Sequence, residues 1–349
     1  MNNKKILDVG FGRRTIYDLY KSTEMSSRLQ YGLVQLEDKY EIKRISLEKP
    51  TFSGTLHDNF RCLESCDVLY MTYFYPQPLV LLSLLRHIGI YRRRKIVVIC
   101  HVSLVEGRNF IERFLLRCVY GSIDTFLFHS QKNLDESVEK RLVSSKYTEF
   151  LYWGDDLEFI DSHFKPVQHD FFLSTGREHR DYLMLVSAFS KTQAVLEIYT
   201  NKVNYDNNYE YLEARQGMYP NIQINYVEKS SETTRFLAKR ASECLCVVIP
   251  LEKKEVYYCL GLTSVIEAMA LGKPVISSRN PYCPIDIEKE GIGIIADNED
   301  SWIKAINYLL SHPDEAKQMG LRARRLAEQK YNIIECAKQI DRIFSASRH

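Results

Sequence analysis

The segment Gly261-Leu262-Thr263-Ser264-Val265-Ile266-Glu267-Ala268-Met269-Ala270-Leu271-Gly272-Lys273-Pro274-Val275-Ile276 has the residue types to hold a phosphorylated ligand. A glycine, Gly261, stands just ahead of Leu262 and two hydroxyl residues, Thr263 and Ser264. These open a helix that ends at Gly272, and Pro274 begins an apolar strand. A helix start presents N–H groups without helical partners and the positive end of the dipole, which suits an anion. Glu267 lies about one turn further in, where a carboxylate can accept hydrogen bonds from sugar hydroxyls. Ser264-x-x-Glu267 is equally a capping box, which needs no ligand. A second candidate is the turn Ser174-Thr175-Gly176-Arg177-Glu178-His179-Arg180-Asp181-Tyr182. Guanidinium groups offer a planar fork of donors to a diphosphate, although a solvated turn opening a helix reads the same way.

Two further candidates lie in the first half. His101 ends an apolar strand, Ile96 to Cys100, and is placed either to hydrogen-bond a sugar or to serve the fold. Gly10-Phe11-Gly12 follows the first strand, beside Arg13 and Arg14. A dinucleotide fingerprint would need a third glycine and an acidic residue about 20 positions on. Thr15 takes that glycine's place and the second strand ends too late, so nicotinamide chemistry is disfavoured. The nine cysteines form no CxxC and have no paired histidines beside them. They read as buried free thiols in a reducing cytosol, and no metal site is expected.

The elements that must carry these residues alternate in type. The chain has 349 residues, 45% hydrophobic and 26% charged, which fits a folded protein of two domains. Its formal charge of +2 argues against a nucleic-acid partner. Apolar strands are expected at Lys5–Val9, Glu41–Ser46, Asp67–Thr72, Lys95–His101, Ile123–His129 and Glu149–Trp153. A second series covers Asp170–Ser174, Ala194–Tyr199, Asn221–Val227, Cys244–Ile249 and Pro274–Ser277. Helical stretches between them indicate parallel βαβ units. The fold class is α/β: two doubly wound, Rossmann-like domains in series, followed by helices at Asp300–Ser311, Pro313–Lys330 and Ile333–Ser345. In such sheets ligands bind beyond the carboxyl ends of the strands. An Asp-rich stretch from Gly154 to Asp170 reads as the linker. The expected domains are 1–160 with 332–349, and 161–331.

The Gly261–Ile276 segment resembles the nucleotide-sugar site of the retaining GT-B glycosyltransferases, the "glycosyl transferases group 1" family. Their hallmark is a pair of Glu residues separated by seven others, then Ala-Met-Ala and Gly-Lys-Pro-Val. Glu267 matches the second Glu, which the resemblance assigns to the nucleotide ribose; Cys259 stands where the first Glu, a donor-sugar contact, is expected. The turn at Gly176 resembles the family's Gly-Arg turn, whose cations hold the donor diphosphate, with Tyr182 in place of the usual Lys and Arg180 as the candidate replacement. Leu151-Tyr152-Trp153-Gly154-Asp155-Asp156 resembles the interdomain connector.

The resemblance implies a GT-B fold with a central cleft and a last helix crossing back to the first domain, which would bind the acceptor. It implies transfer of a sugar, with retention and without a metal, from a nucleoside diphosphate (UDP favoured over GDP) to a hydroxyl acceptor. That acceptor would belong to surface-polysaccharide or lipid-linked glycan assembly. His101 and Arg177 are the expected catalytic residues. Gly10, Gly12, Gly176, Arg177, Arg180, Cys259, Gly261, Leu262, Thr263, Ser264 and Glu267 are expected to bind the donor. No cofactor is expected, the nucleotide sugar being a substrate. Two alternatives stay open: a weakly active sugar-nucleotide-binding partner, motivated by Cys259, and a sugar-nucleotide epimerase.

No acidic residue occurs between Asp67 and Glu106. That window holds Arg86, Arg92, Arg93, Arg94 and Lys95 beside a Leu-rich run, and it continues into Arg113 and Arg117 among Phe and Leu residues. Such a surface can lie on anionic lipid; buried helix faces with solvated arginines explain it equally. The expected location is the cytoplasm, extending to the inner face of the membrane.

Overall fold

The computed structural model describes residues 3–48, 52–165, 167, 169–176, 179–201, 208–252 and 258–346. They form two units. One comprises Met1–Thr23, Ser27–Trp153 and Ile333–His349, the other Glu24–Ser26 and Gly154–Asn332.

In the first unit β1 (Lys5–Phe11), α1 (Arg13–Lys21), β2 (Glu41–Leu47), α2 (Phe52–Arg61), β3 (Val68–Met71), α3 (Val80–His87), β4 (Lys95–Cys100), α4 (Phe110–Ser122), β5 (Thr125–Phe128), α5 (Gln131–Glu139) and β6 (Thr148–Phe150) follow one another. The strands pair in parallel in the order β2-β1-β3-β4-β5-β6. Strands β3, β4 and β5 are apolar almost throughout because helices and connections cover both faces.

The second unit runs α6 (Leu157–His163), β7 (Phe171–Ser174), α7 (Tyr182–Ser190), β8 (Val195–Thr200), α8 (Asn208–Glu213), β9 (Ile222–Tyr226), α9 (Ser231–Glu243), β10 (Cys246–Ile249), α10 (Leu262–Ala270), β11 (Val275–Ser277), β12 (Gly293–Ile295), α11 (Glu299–Ser311) and α12 (Pro313–Gln329). Its sheet is also parallel, in the order β12-β11-β10-β7-β8-β9. The core joins Phe172, Leu196 and Val248 of the sheet to Leu185 and Phe189 of α7 and to Trp302 and Ile306 of α11.

Eleven of these strands coincide with expected ones. β12 was not expected: three residues flanked by glycine carry too little periodicity. Its backbone pairs so closely that a Cβ on Gly293 would stand 1.9 Å from the Val275 carbonyl oxygen.

The last helix, α13 (Ile333–Ser345), belongs to the first unit. Tyr40 Oη donates to Asp341 at 2.6 Å, and Lys95 Nζ donates to the Ile343 carbonyl at 2.5 Å. Gly32 lets α13 approach, since a Cβ there would lie 2.7 Å from Ala337 Cα. Apart from the short segment Glu24–Ser26, the chain passes between units at Trp153/Gly154 and at Asn332/Ile333. The division falls at 153/154 and not at the expected 160; within the second unit a Cβ on Gly154 would overlap the Tyr331 carbonyl, and Asp155 pairs with Asn332.

Candidate functional site

At the carboxyl edge of the second sheet, the segments after β7 and β10 remain paired. Asp181 N–H donates to the Pro250 carbonyl at 2.9 Å and Glu252 N–H to that of His179 at 3.1 Å, so Arg180 faces Leu251. Arg180 is 7% exposed. Its side chain crosses Gly176, where a Cβ would lie 2.1 Å from its Nε, and its Nη2 donates to Ser264 Oγ at 3.3 Å. Tyr182, buried at the start of α7, donates its hydroxyl to the Gly176 carbonyl and supports the same turn from below. Asp181 caps α7 through Met184 N–H at 2.9 Å. Arg177 lies outside the described residues.

Helix α10 opens at this point. Gly261 is its N-cap, in the left-handed region at φ 82°, and supplies no side-chain cap. The capping-box reading of Ser264-x-x-Glu267 is therefore corrected: Ser264 is the third helical residue and Glu267 is one turn further on the same face. The first-turn N–H groups have no carbonyl one turn back within the helix. Arg180 and the α10 N-terminus thus put a cation and a dipole end side by side, next to an exposed Thr263 and half-buried Ser264 and Glu267.

Asn280, which sequence reading did not single out, clamps the loop before α10. Its Nδ2 donates to the carbonyls of Tyr258 at 2.9 Å and Leu260 at 3.1 Å, holding Cys259 between them. A cavity of ≈ 140 Å³ adjoins this clamp, lined by Leu251, Gly261, Val265, Ser278 and Cys283 among others. Burial, then the neighbouring Cys283, pushes the Cys259 thiol up to about 12. It is neutral at pH 7 and does not replace the charge of a carboxylate.

The Gly272-Lys273-Pro274 motif does different work at the opposite edge of this sheet. Lys273, 5% exposed, donates at 2.8 Å to the carbonyls of both Val167 and Cys244. Among the described residues no group of three or more His, Cys, Asp or Glu could hold a metal ion.

Gly10, Gly12 and His101 stand at the carboxyl edge of the first unit's sheet. Gly10 is required by packing, since a Cβ would lie 2.8 Å from Thr72 Oγ1 and 3.0 Å from Arg13 Cδ. Gly12 caps α1 in the left-handed region at φ 62°. Arg13 does not face a ligand. It is 2% exposed, pairs with Asp8 at 2.9 Å and donates to Leu29 O and Gln30 Oε1.

His101 Nε2 lies 3.2 Å from the Thr72 carbonyl, which makes it the protonated nitrogen and leaves Nδ1 as an acceptor. Its ring stacks on the exposed Tyr73 at 4.7 Å. Behind it, His129 donates through Nδ1 to the Leu151 carbonyl at 3.2 Å, and its Nε2 has no partner among the described residues. Burial lowers both imidazoles, that of His129 to about 3, with His101 as the second cause.

Residues 223–326, which include α10 and the Asn280 clamp, match the family described as "Glycosyl transferases group 1". The chain carries a group 1 glycosyl transferase domain. None of the curated proteins compared with it matches significantly. Among solved structures, HepE of Anabaena in complex with UDP and glucose superposes with TM-score 0.66 at 14% identity, over 99% of this chain and 100% of that one. An α-glucosyltransferase in complex with UDP-glucose and DNA containing an abasic site gives TM-score 0.66 at 11% identity, over 99% and 100%. A UDP-N-acetylglucosamine 2-epimerase gives 0.56 at 12% identity, over 98% and 95%. At these identities the likeness establishes the fold, which is GT-B.

Proposed function

We propose that this group 1 glycosyl transferase moves a sugar from a nucleoside diphosphate to a hydroxyl acceptor, with retention of configuration and UDP as the favoured carrier. The supporting observation is the contact of buried Arg180 with Ser264 at the uncapped start of α10. That contact concentrates positive charge where a departing diphosphate would gather negative charge. Arg177, next to Gly176 in the sequence, adds a second guanidinium in this reading, so the leaving group needs no metal. Glu267 accepts from the ribose hydroxyls. UDP also accompanies the Anabaena protein and the α-glucosyltransferase in their solved structures.

Bond breaking at the anomeric carbon develops oxocarbenium character, and the leaving phosphate takes the acceptor's proton. His101, neutral at pH 7, accepts through Nδ1 from a sugar hydroxyl and so orients a substrate without adding charge. The acceptor we favour is a growing surface polysaccharide or lipid-linked glycan. An epimerase remains the second reading, because Cys259 is neutral where a donor-sugar carboxylate is expected and the fold is shared with such an enzyme. Products formed from UDP-sugar alone would favour it.

The test is thermal unfolding with UDP and GDP, followed by donor turnover. UDP at about 100 times its Kd should stabilise the wild type by about 2.7 kcal/mol, and by more than GDP does. Arg177→Ala and Arg180→Ala should lose this response, and Arg180→Ala should lower turnover roughly 10²–10³-fold. Arg180→Lys, which keeps the charge, should retain part of both. An unchanged UDP response in both alanine variants overturns the phosphate assignment.

A further inference from the structure

Helix α4 turns an apolar and cationic face to solvent. Phe110 is 81% exposed, Ile111 69% and Phe114 53%, which is far beyond the scattered apolar exposure of an ordinary surface. Arg113 and Arg117 are exposed on the same helical face, three or four residues from Phe110 and Phe114. The one carboxylate of α4, Glu112, is turned back and accepts from Arg108 N–H at 2.8 Å.

The face continues onto α3. Ser83 and Ser122 hydrogen-bond at 2.7 Å, and His87 Nε2 lies 3.7 Å from where a Gly121 Cβ would stand. Beyond His87 the surface carries Leu84, Ile88 at 73% exposure, Ile90, Arg92 and Arg93. Its length matches the 13 residues of α4, ~20 Å.

The remaining cations of this stretch do not belong to that face. Arg86 is buried and binds Asp124 at 2.7 Å. Arg94 is buried and donates to the carbonyls of Cys62 and Leu63. Lys95 is tied to α13. The seven cations expected to meet a membrane thus reduce to Arg92, Arg93, Arg113 and Arg117. Six apolar side chains, Leu84, Ile88, Ile90, Phe110, Ile111 and Phe114, join them. Apart from Glu112, the nearest acidic residue in sequence is exposed Glu106, in the loop ahead of α4.

We propose that the α3–α4 face docks on an anionic lipid bilayer, its aromatic and aliphatic side chains entering the interface and its four arginines meeting lipid phosphates. The chemistry commits to this occupant. A protein partner would be expected to pair Phe110 and Phe114 with an apolar recess and few arginines, whereas interleaved arginines and apolar side chains match a plane of phosphates above acyl chains. The Phe110 end of the face adjoins the loop after β4 that begins at His101, with Val102 and Val105 exposed between them. On the transferase reading, an acceptor carried by a membrane lipid would therefore be delivered to the first unit's carboxyl edge. The docking itself does not rest on that reading.

The experiment is co-sedimentation of the full chain with vesicles of phosphatidylcholine, with and without about 30% phosphatidylglycerol. The wild type should pellet with the anionic vesicles and stay in solution with the neutral ones. The quadruple variant R92S/R93S/R113S/R117S and the double variant F110S/F114S should each bind roughly tenfold more weakly. All these side chains are solvent-exposed, so circular dichroism and the UDP-induced thermal shift should be unchanged. A wild type that stays in solution with anionic vesicles overturns the proposal, as does equal pelleting of all three proteins. So does a wild-type dimer that F110S/F114S converts to monomer without altering sedimentation, since the face would then pair copies of the chain. Loss of the UDP response in the wild type would sink the transferase reading and leave the docking result standing.

Discussion

The carboxyl edges of the two sheets handle charge in opposite ways. In the first unit Arg13 is buried and neutralised by Asp8, Arg14 is exposed at the start of α1, and His101, His129 and Tyr73 cluster at the same edge. Both imidazoles are held neutral by burial. In the second unit Arg180 is bridged to the uncapped start of α10, beside Glu267. The buried groups of the first edge suit an uncharged polyol, and those of the second suit an anion. Two sheets of the same parallel construction thus present different chemistry at their carboxyl edges.

The sharpest way to break this contrast is Arg13→Met. If Arg13 serves only the fold, its loss strands a buried carboxylate, and stability should fall by about 3–5 kcal/mol in urea denaturation. The UDP-induced shift of the folded protein should survive. A variant that is stable but blind to UDP would move the anion site to the first unit.

Acid should act mainly on the first unit. His129 titrates near 6.5 when unfolded but at about 3 when folded, so between those values the unfolded chain binds more protons. Stability is therefore full above the unfolded value and declines as pH falls towards 3. From pH 7 to pH 5 the loss should be about 2 kcal/mol, measured by urea midpoints at each pH. His129→Gln should flatten that slope, and a slope identical to wild type would contradict the buried neutral imidazole.

The smallest expected effect tests the second unit. Glu267→Gln should leave unfolding unchanged, because Gly261 and not a Ser-Glu box opens α10. It should weaken UDP binding by about 1 kcal/mol, the worth of a typical hydrogen bond, measured by calorimetric titration. Lost stability with intact UDP affinity would make Glu267 structural.

Much of the fold was legible in the sequence, because runs such as Ile96–Cys100 and Val247–Ile249 are apolar at every position and are separated by helical lengths. The opening of α10 was legible in its residues but its capping stayed open, since Ser264-x-x-Glu267 fits a box whether the helix starts there or earlier. Asn280 gave no signal, because a lone Asn before Pro marks an ordinary turn. Only the carbonyls of Tyr258 and Leu260, brought over from another loop, make it a clamp.

Periodicity and local motif therefore determined the alternation of strands and helices, the two sheets and the identity of the α10 segment, all of which depend on neighbours within a few residues. Which cations face solvent was decided by tertiary structure. Arg92, Arg93, Arg94 and Lys95 are consecutive, yet two stay exposed, one is buried among backbone carbonyls and one reaches α13. A guanidinium can be buried only where acceptors surround it, and those acceptors come from parts of the chain that folding alone brings near.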